Sequence, residues 1–116
     1  MRKIYHLSTC NTCQRIIKEV EPGKDFILQD IKTKKITEGQ LEEMHKLSGS
    51  YESLFSRVAR KYKALNLKEK QLSEEDYKTY ILSEYTFLKR PVFIIDREIF
   101  IGNSKKNIEA VRQALS

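Results

Sequence analysis

The stretch Lys3-Ile4-Tyr5-His6-Leu7-Ser8-Thr9-Cys10-Asn11-Thr12-Cys13-Gln14-Arg15 holds both cysteines of a 116-residue chain. Lys3 to Leu7 reads as a strand, with Tyr5 and Leu7 on one face and Ile4 and His6 on the other. After the polar segment that follows, Ile16, Ile17 and Val20 recur at helical spacing, and Glu21-Pro22-Gly23 stops that helix. Phe26 to Ile31 reads as a second strand. Strand, helix and strand make a βαβ unit, whose strands run parallel with a right-handed crossover.

The middle of the chain reads as helical. Thr37 with Gln40 matches the capping-box pattern, and Leu41, Met44 and Leu47 follow at helical spacing until Gly49-Ser50 breaks it. Tyr51, Leu54, Phe55 and Val58 give a further apolar stripe, followed by a short segment around Tyr62 and Leu65. Ser73 with Asp76 is a second capping box, opening a helix that carries Tyr77, Ile81 and Tyr85. Pro91 to Ile95 and Glu98 to Gly102 are strands separated only by Asp96-Arg97, so an antiparallel hairpin is expected. Asn103-Ser104 then caps a last helix carrying Ile108, Val111 and Leu115.

This order defines an α/β chain: β-α-β, a helical insertion, then β-β-α, around a mixed four-stranded sheet. It is a thioredoxin-like arrangement, read as one domain over residues 1–116 with residues 37–88 as the helical insertion. The central helices are the one stretch able to form a lobe of their own. The cysteines fall at the first strand-to-helix turn.

Composition narrows the classes. Hydrophobic residues make up 40% and charged residues 33%, the balance of a globular domain rather than a disordered chain. No apolar run approaches the ~20 residues of a membrane span. Met1-Arg2-Lys3-Ile4 lacks the apolar core of a signal peptide, so a cytoplasmic location is expected. The net charge of +6 suits anionic partners, but a charge of about 2–8 is also ordinary for a small soluble domain. Lys32-Thr33-Lys34-Lys35 reads as a solvated loop, and Tyr77, Tyr80 and Tyr85 as packing rather than a platform for nucleic acid.

In a reducing compartment a C-x-x-C pair points to redox or metal chemistry rather than to a structural staple. With the helix starting near Asn11 or Thr12, Cys10 sits at its cap, facing unpaired N–H groups and the positive end of the dipole. Thiols in such places titrate at about 3.5–7.5 rather than ~8.5. Cys13 lies one turn on, within the roughly 4.4–6.8 Å between Cα atoms that a disulfide requires. Cys10 can therefore attack and Cys13 can resolve. A zinc site would need Cys10, Cys13, His6 and His45 together, with no second paired motif to support it, so no metal is expected.

The segments Ile4–Arg15, Leu54–Leu67 and Leu88–Asp96 resemble the ArsC/Spx family of thioredoxin-fold proteins, which includes glutaredoxin-coupled arsenate reductases and Spx transcriptional regulators. The likeness runs over essentially the whole chain. It implies Cys10 as nucleophile, Cys13 as the second cysteine of a redox switch, and His6 as a histidine orienting the Cys10 loop. Arg90 matches the arginine before the family's cis-proline, Pro91, and Arg57 matches one that steadies an oxyanion or thiolate. Counted from the other side, Arg60 takes that place. Thr12 is counted with Arg90, Pro91 and Arg57 as substrate-binding.

Two departures stand out. Ile99-Phe100-Ile101-Gly102-Asn103 lacks the arginine that completes an arsenate site, and Gln14-Arg15 displaces another arginine by one place. The resemblance implies an oxyanion or disulfide substrate, no bound cofactor, and glutathione or glutaredoxin as external reductant. Its alternative is an Spx-type regulator, in which Gly49 lies on a surface meeting RNA polymerase, with no direct nucleic-acid contact.

Overall fold

The computed structural model describes residues 2–116. They divide into two compact units, residues 2–35 with Arg90–Ser116, and Ile36–Lys89.

The first unit is built on a four-stranded sheet. Its strands are β1 (Arg2–His6), β2 (Ile27–Asp30), β3 (Val92–Ile95) and β4 (Glu98–Ile101), in the order β2-β1-β3-β4. β1 and β2 are parallel, as a βαβ crossover requires, whereas β1 with β3 and β3 with β4 are antiparallel. Asp96 turns the β3–β4 hairpin in the left-handed region, at φ 58°. Helices α1 (Asn11–Val20) and α5 (Lys105–Leu115) belong to this unit. Ile16 and Val20 of α1, Ile108 and Val111 of α5, and Ile4, Phe26, Phe93 and Ile95 form one buried aliphatic and aromatic cluster. Burying such side chains contributes about 1.5–3 kcal/mol each, which fixes α1 against the sheet.

The second unit is helical. It contains α2 (Glu38–Ser48), α3 (Arg60–Ala64) and α4 (Glu74–Ser83), with single 3₁₀ turns at Glu52–Leu54, Leu67–Glu69 and Tyr85–Phe87. Both expected capping boxes form: Thr37 with Gln40 at α2, and Ser73 with Asp76 at α4. Gly49 ends α2 at φ 90°, a left-handed position that favours glycine. Phe55 is the hub of the core, with ring centroids 4.9 Å from Tyr77, 5.1 Å from Phe87, 6.0 Å from Tyr62 and 6.4 Å from Tyr80.

The stripe from Tyr51 to Val58 is not a helix. One 3₁₀ turn ends at Leu54, after which Phe55 is extended and bridges Leu88. Ser56 N–H donates to the Phe87 carbonyl at 2.7 Å, and Lys89 N–H to the Leu54 carbonyl at 2.8 Å. Leu54 and Phe55 are adjacent and both fully buried, which a helix exposing one face cannot easily achieve; Val58 is 93% exposed. Tyr85 likewise falls outside α4, because Glu84 is extended at φ −148°.

Candidate functional site

β1 delivers its chain directly to α1 through Leu7, Ser8 and Thr9. Cys10 N–H donates back to the Leu7 carbonyl at 3.0 Å, and the Cys10 carbonyl accepts the first helical bond, from Gln14 N–H, at 3.1 Å. Cys10 thus takes the N-cap position of α1, with φ −94° and ψ 110°. Its side chain makes no capping hydrogen bond, yet the N–H dipoles of Cys13 and Thr12 lie close enough to act on the sulfur. Cys10 is partly exposed, Cys13 is fully buried, and both are free thiols.

The two sulfurs are driven in opposite directions. Burial by itself would raise the Cys10 thiol. It is outweighed by hydrogen bonding from the Cys13 backbone and side chain, the Arg90 guanidinium charge and the Thr12 backbone, so Cys10 lies below the ordinary thiol range. Cys13 is pushed up to about 11, chiefly by burial and further by its hydrogen bond to Cys10 and the charge of that neighbour, against an opposing contribution from the Leu7 backbone. One sulfur ionises more readily than an ordinary thiol and the other less readily.

Arg90 is partly buried and precedes Pro91 through a cis peptide bond, as the family resemblance implies. Pro91 is buried, and its carbonyl accepts Gly102 N–H at 2.9 Å, so that oxygen is already taken by the end of β4. Cys10, Cys13, Thr12, His6, Arg90 and Pro91 all belong to the sheet unit.

Arg57 belongs to the helical unit. There its guanidinium donates to the Glu52 carboxylate at 2.7 Å and to the Tyr77 hydroxyl at 3.0 Å. The Glu52 bond, offset in part by burial, raises its already high pKa. Arg60 is exposed on the first turn of α3.

His6 is buried at the end of β1, where its Nδ1 lies 3.3 Å from the Gln14 side-chain nitrogen. Asp30, paired with His6 across β1 and β2, accepts from the Ser8 hydroxyl at 2.5 Å, from Ser8 N–H at 3.3 Å and from Lys32 N–H at 3.2 Å. The Ser8 hydroxyl bond is the main reason its carboxyl lies below the usual range. Neither Gln14 nor Asp30 stands out in the sequence as a site residue. The available signals were position alone: Gln14 lies four residues after Cys10 on the same helical face, and Asp30 ends the strand next to His6. Among the described residues, no group of three or more His, Cys, Asp or Glu comes together to hold a metal ion.

The ArsC family model matches residues 5–111. The chain belongs to the ArsC family. A search of curated proteins returns no match. Among solved structures, an arsenate reductase from Vibrio cholerae superposes with TM-score 0.78 at 18% identity, over 98% of this chain and 97% of that one. A Bacteroides fragilis protein described as related to the ArsC family gives 0.79 at 23%, over 95% and 96%. A Staphylococcus aureus COL protein gives 0.75 at 25%, over 95% and 97%. The mixed sheet and its helices are therefore the thioredoxin-like fold of ArsC structures. Among the described residues, no helix of this ArsC-family chain is long and apolar enough to cross a membrane.

Proposed function

We propose that the protein is a thiol redox enzyme of the cytoplasm in which Cys10 attacks an oxidised substrate and Cys13 resolves the adduct. The opposite states of the two sulfurs carry this reading: a partly exposed thiol lowered by its turn, and a buried one held protonated beside it.

With a disulfide substrate, the Cys10 thiolate attacks one sulfur, a new S–S bond forms, and the second substrate sulfur leaves as a thiolate that takes up a proton. Cys10 then carries no charge, which removes one of the effects holding the Cys13 proton. Cys13 loses that proton, attacks the Cys10 sulfur and expels the remaining substrate thiol. Two electrons pass to the substrate, and the protein is left with a Cys10–Cys13 disulfide. Two glutathiones, directly or through glutaredoxin, return it to the dithiol.

With arsenate, the thiolate displaces one oxygen as water to give a sulfur–arsenic(V) adduct. Attack of Cys13 or glutathione on the Cys10 sulfur leaves the bonding pair on arsenic, releasing arsenite and forming the disulfide. Arg90 supports either course, because a guanidinium beside the sulfur favours the thiolate and any anion approaching it. Thr12 lies in the first turn of α1, and Pro91 immediately precedes β3.

Purified protein supplied with glutathione, glutaredoxin and NADPH-linked recycling should oxidise NADPH on addition of arsenate or of a small disulfide. Mild peroxide should remove two hydrogens from the dithiol by mass spectrometry. Cys13→Ser should instead retain a mixed disulfide on Cys10. Turnover with neither substrate, together with co-purifying RNA polymerase, would replace the enzyme by an Spx-type regulator using the same disulfide.

A further inference from the structure

We infer that Gln14 is the positioning residue of the Cys10 turn, clamping Cys10 from both ends and fixing which ring nitrogen of His6 carries the hydrogen. The inference rests on the reading of Cys10 as the reactive thiolate.

Four contacts close around one peptide. Gln14 N–H donates to the Cys10 carbonyl at 3.1 Å, and Cys10 N–H donates to the Leu7 carbonyl at 3.0 Å. The Gln14 side-chain nitrogen donates to that same Leu7 carbonyl at 3.2 Å and lies 3.3 Å from His6 Nδ1. Leu7 thus spends both lone pairs on holding Cys10, one directly and one through Gln14. The amide orientation follows from the same carbonyl: turned over, the Gln14 oxygen would face the Leu7 oxygen. The nitrogen has two hydrogens and no acceptor capacity, so His6 Nδ1 must accept. In the neutral ring the hydrogen then sits on Nε2.

The consequence reaches the sulfur through geometry. The N–H groups of Thr12 and Cys13 can act on Cys10 only while the turn keeps its side chain at the cap. The charged groups around the turn are Arg90 on the Cys10 side and Asp30, itself bound by Ser8, on the His6 side. The Gln14 side chain meets the Leu7 carbonyl and His6 without carrying charge, so removing it alters position rather than electrostatics.

Gln14→Met deletes the donor and keeps length and helix propensity. Gln14→Glu keeps the shape but offers His6 an acceptor. The readouts are the pH profile of Cys10 alkylation by iodoacetamide and the ¹⁵N shifts of His6 at a pH where its ring is neutral. The parent should show Nε2–H and an alkylation midpoint below the ordinary ~8.5. Gln14→Met should raise that midpoint, slowing alkylation at pH 7 by about threefold, as expected for one lost hydrogen bond. Gln14→Glu should move the His6 hydrogen to Nδ1. Circular dichroism establishes that both variants are folded. A parent midpoint at the free-thiol value would remove the thiolate reading itself. A low parent midpoint left unmoved in both variants, or His6 unchanged in Gln14→Glu, would overturn the role of Gln14.

Discussion

The start of α1 in the sheet unit and the starts of α2 and α4 in the helical unit treat the same orphan N–H groups in opposite ways. At α2, Thr37 accepts from Gln40 N–H at 3.0 Å, and Gln40 Oε1 accepts from Thr37 N–H at 3.0 Å. At α4, Ser73 and Asp76 repeat the exchange at 3.2 and 2.9 Å. At α1 the cap residue has the same extended backbone, but its side chain ends in sulfur and makes no capping bond. The backbone is prepared for a capping oxygen that is not there. A capped helix start satisfies its donors and becomes inert; an uncapped one keeps a positive field turned on whatever stands at the cap. In the helical unit the starts of α2 and α4 are closed by capping boxes, whereas in the sheet unit the start of α1 leaves its field turned on a sulfur.

The rest of the helical unit sharpens the contrast, since it rests on Phe55 as well as on caps. Phe55→Ala should destabilise the fold by about 3–5 kcal/mol in urea unfolding, the cost of emptying a large buried aromatic site. Phe55→Leu should recover part of this but not all, because ring pairs add about 0.5–1.5 kcal/mol beyond area. A Leu variant as stable as the parent would show that ring geometry contributes nothing there.

Charge, by contrast, should govern the uncapped start. Arg90→Met removes a cation that lowers Cys10, so the thiol must rise and less thiolate exists at neutral pH. Alkylation at pH 7 should slow by about three- to tenfold, with rates converging above the raised pKa. Equal rates in parent and variant across the whole range would leave Arg90 no part in ionising the sulfur.

Much of this was legible in the residues. Strand pairing followed from β-type runs joined by a two-residue turn, and the capping boxes followed from Thr37-Gln40 and Ser73-Asp76. Tyr51 to Val58 misled because its spacing suits a helix, while the stability comes from the bridge of Phe55 to Leu88, a partner far along the chain. Periodicity carries no information about such a partner. The cysteines and Arg90 announced themselves by residue type and by the proline. Gln14 and Asp30 did not, since neutral amides and lone carboxylates are common and only their contacts distinguish them.

The capped starts should each be worth about 1 kcal/mol, the usual loss on replacing Thr or Ser at an N-cap by Ala. Thr37→Ala and Ser73→Ala should also part company in acid. Asp76 is lowered first by the Ser73 backbone N–H, which Ser73→Ala keeps, and second by the Ser73 side chain, which it removes. That second contribution is present only above the unfolded carboxyl range and is lost as pH falls through the depressed folded value. Gln40 does not titrate. The cost of Ser73→Ala should therefore shrink on acidification while that of Thr37→Ala stays constant.

The smallest effect tests the contrast most directly. Cys10→Ser places an oxygen, a stronger acceptor than sulfur, on a backbone already at φ −94° and ψ 110°, facing the Thr12 and Cys13 N–H groups that act on the sulfur. It must abolish Cys10 alkylation, yet it should stabilise the fold, by about 0.5–1 kcal/mol. The pH decides whether the gain is visible. A thiol lowered in the folded state adds stability to the parent above the unfolded thiol range, and loses it as pH falls through the folded value. At a pH below the folded-state value the thiol is protonated in both states, so the serine gain stands alone. At pH 9 the parent recovers its thiolate contribution and the difference should narrow or reverse. If Cys10→Ser were less stable than the parent even in acid, the turn would be shaped around sulfur itself. The trade between capping and reactivity would then not exist at this helix.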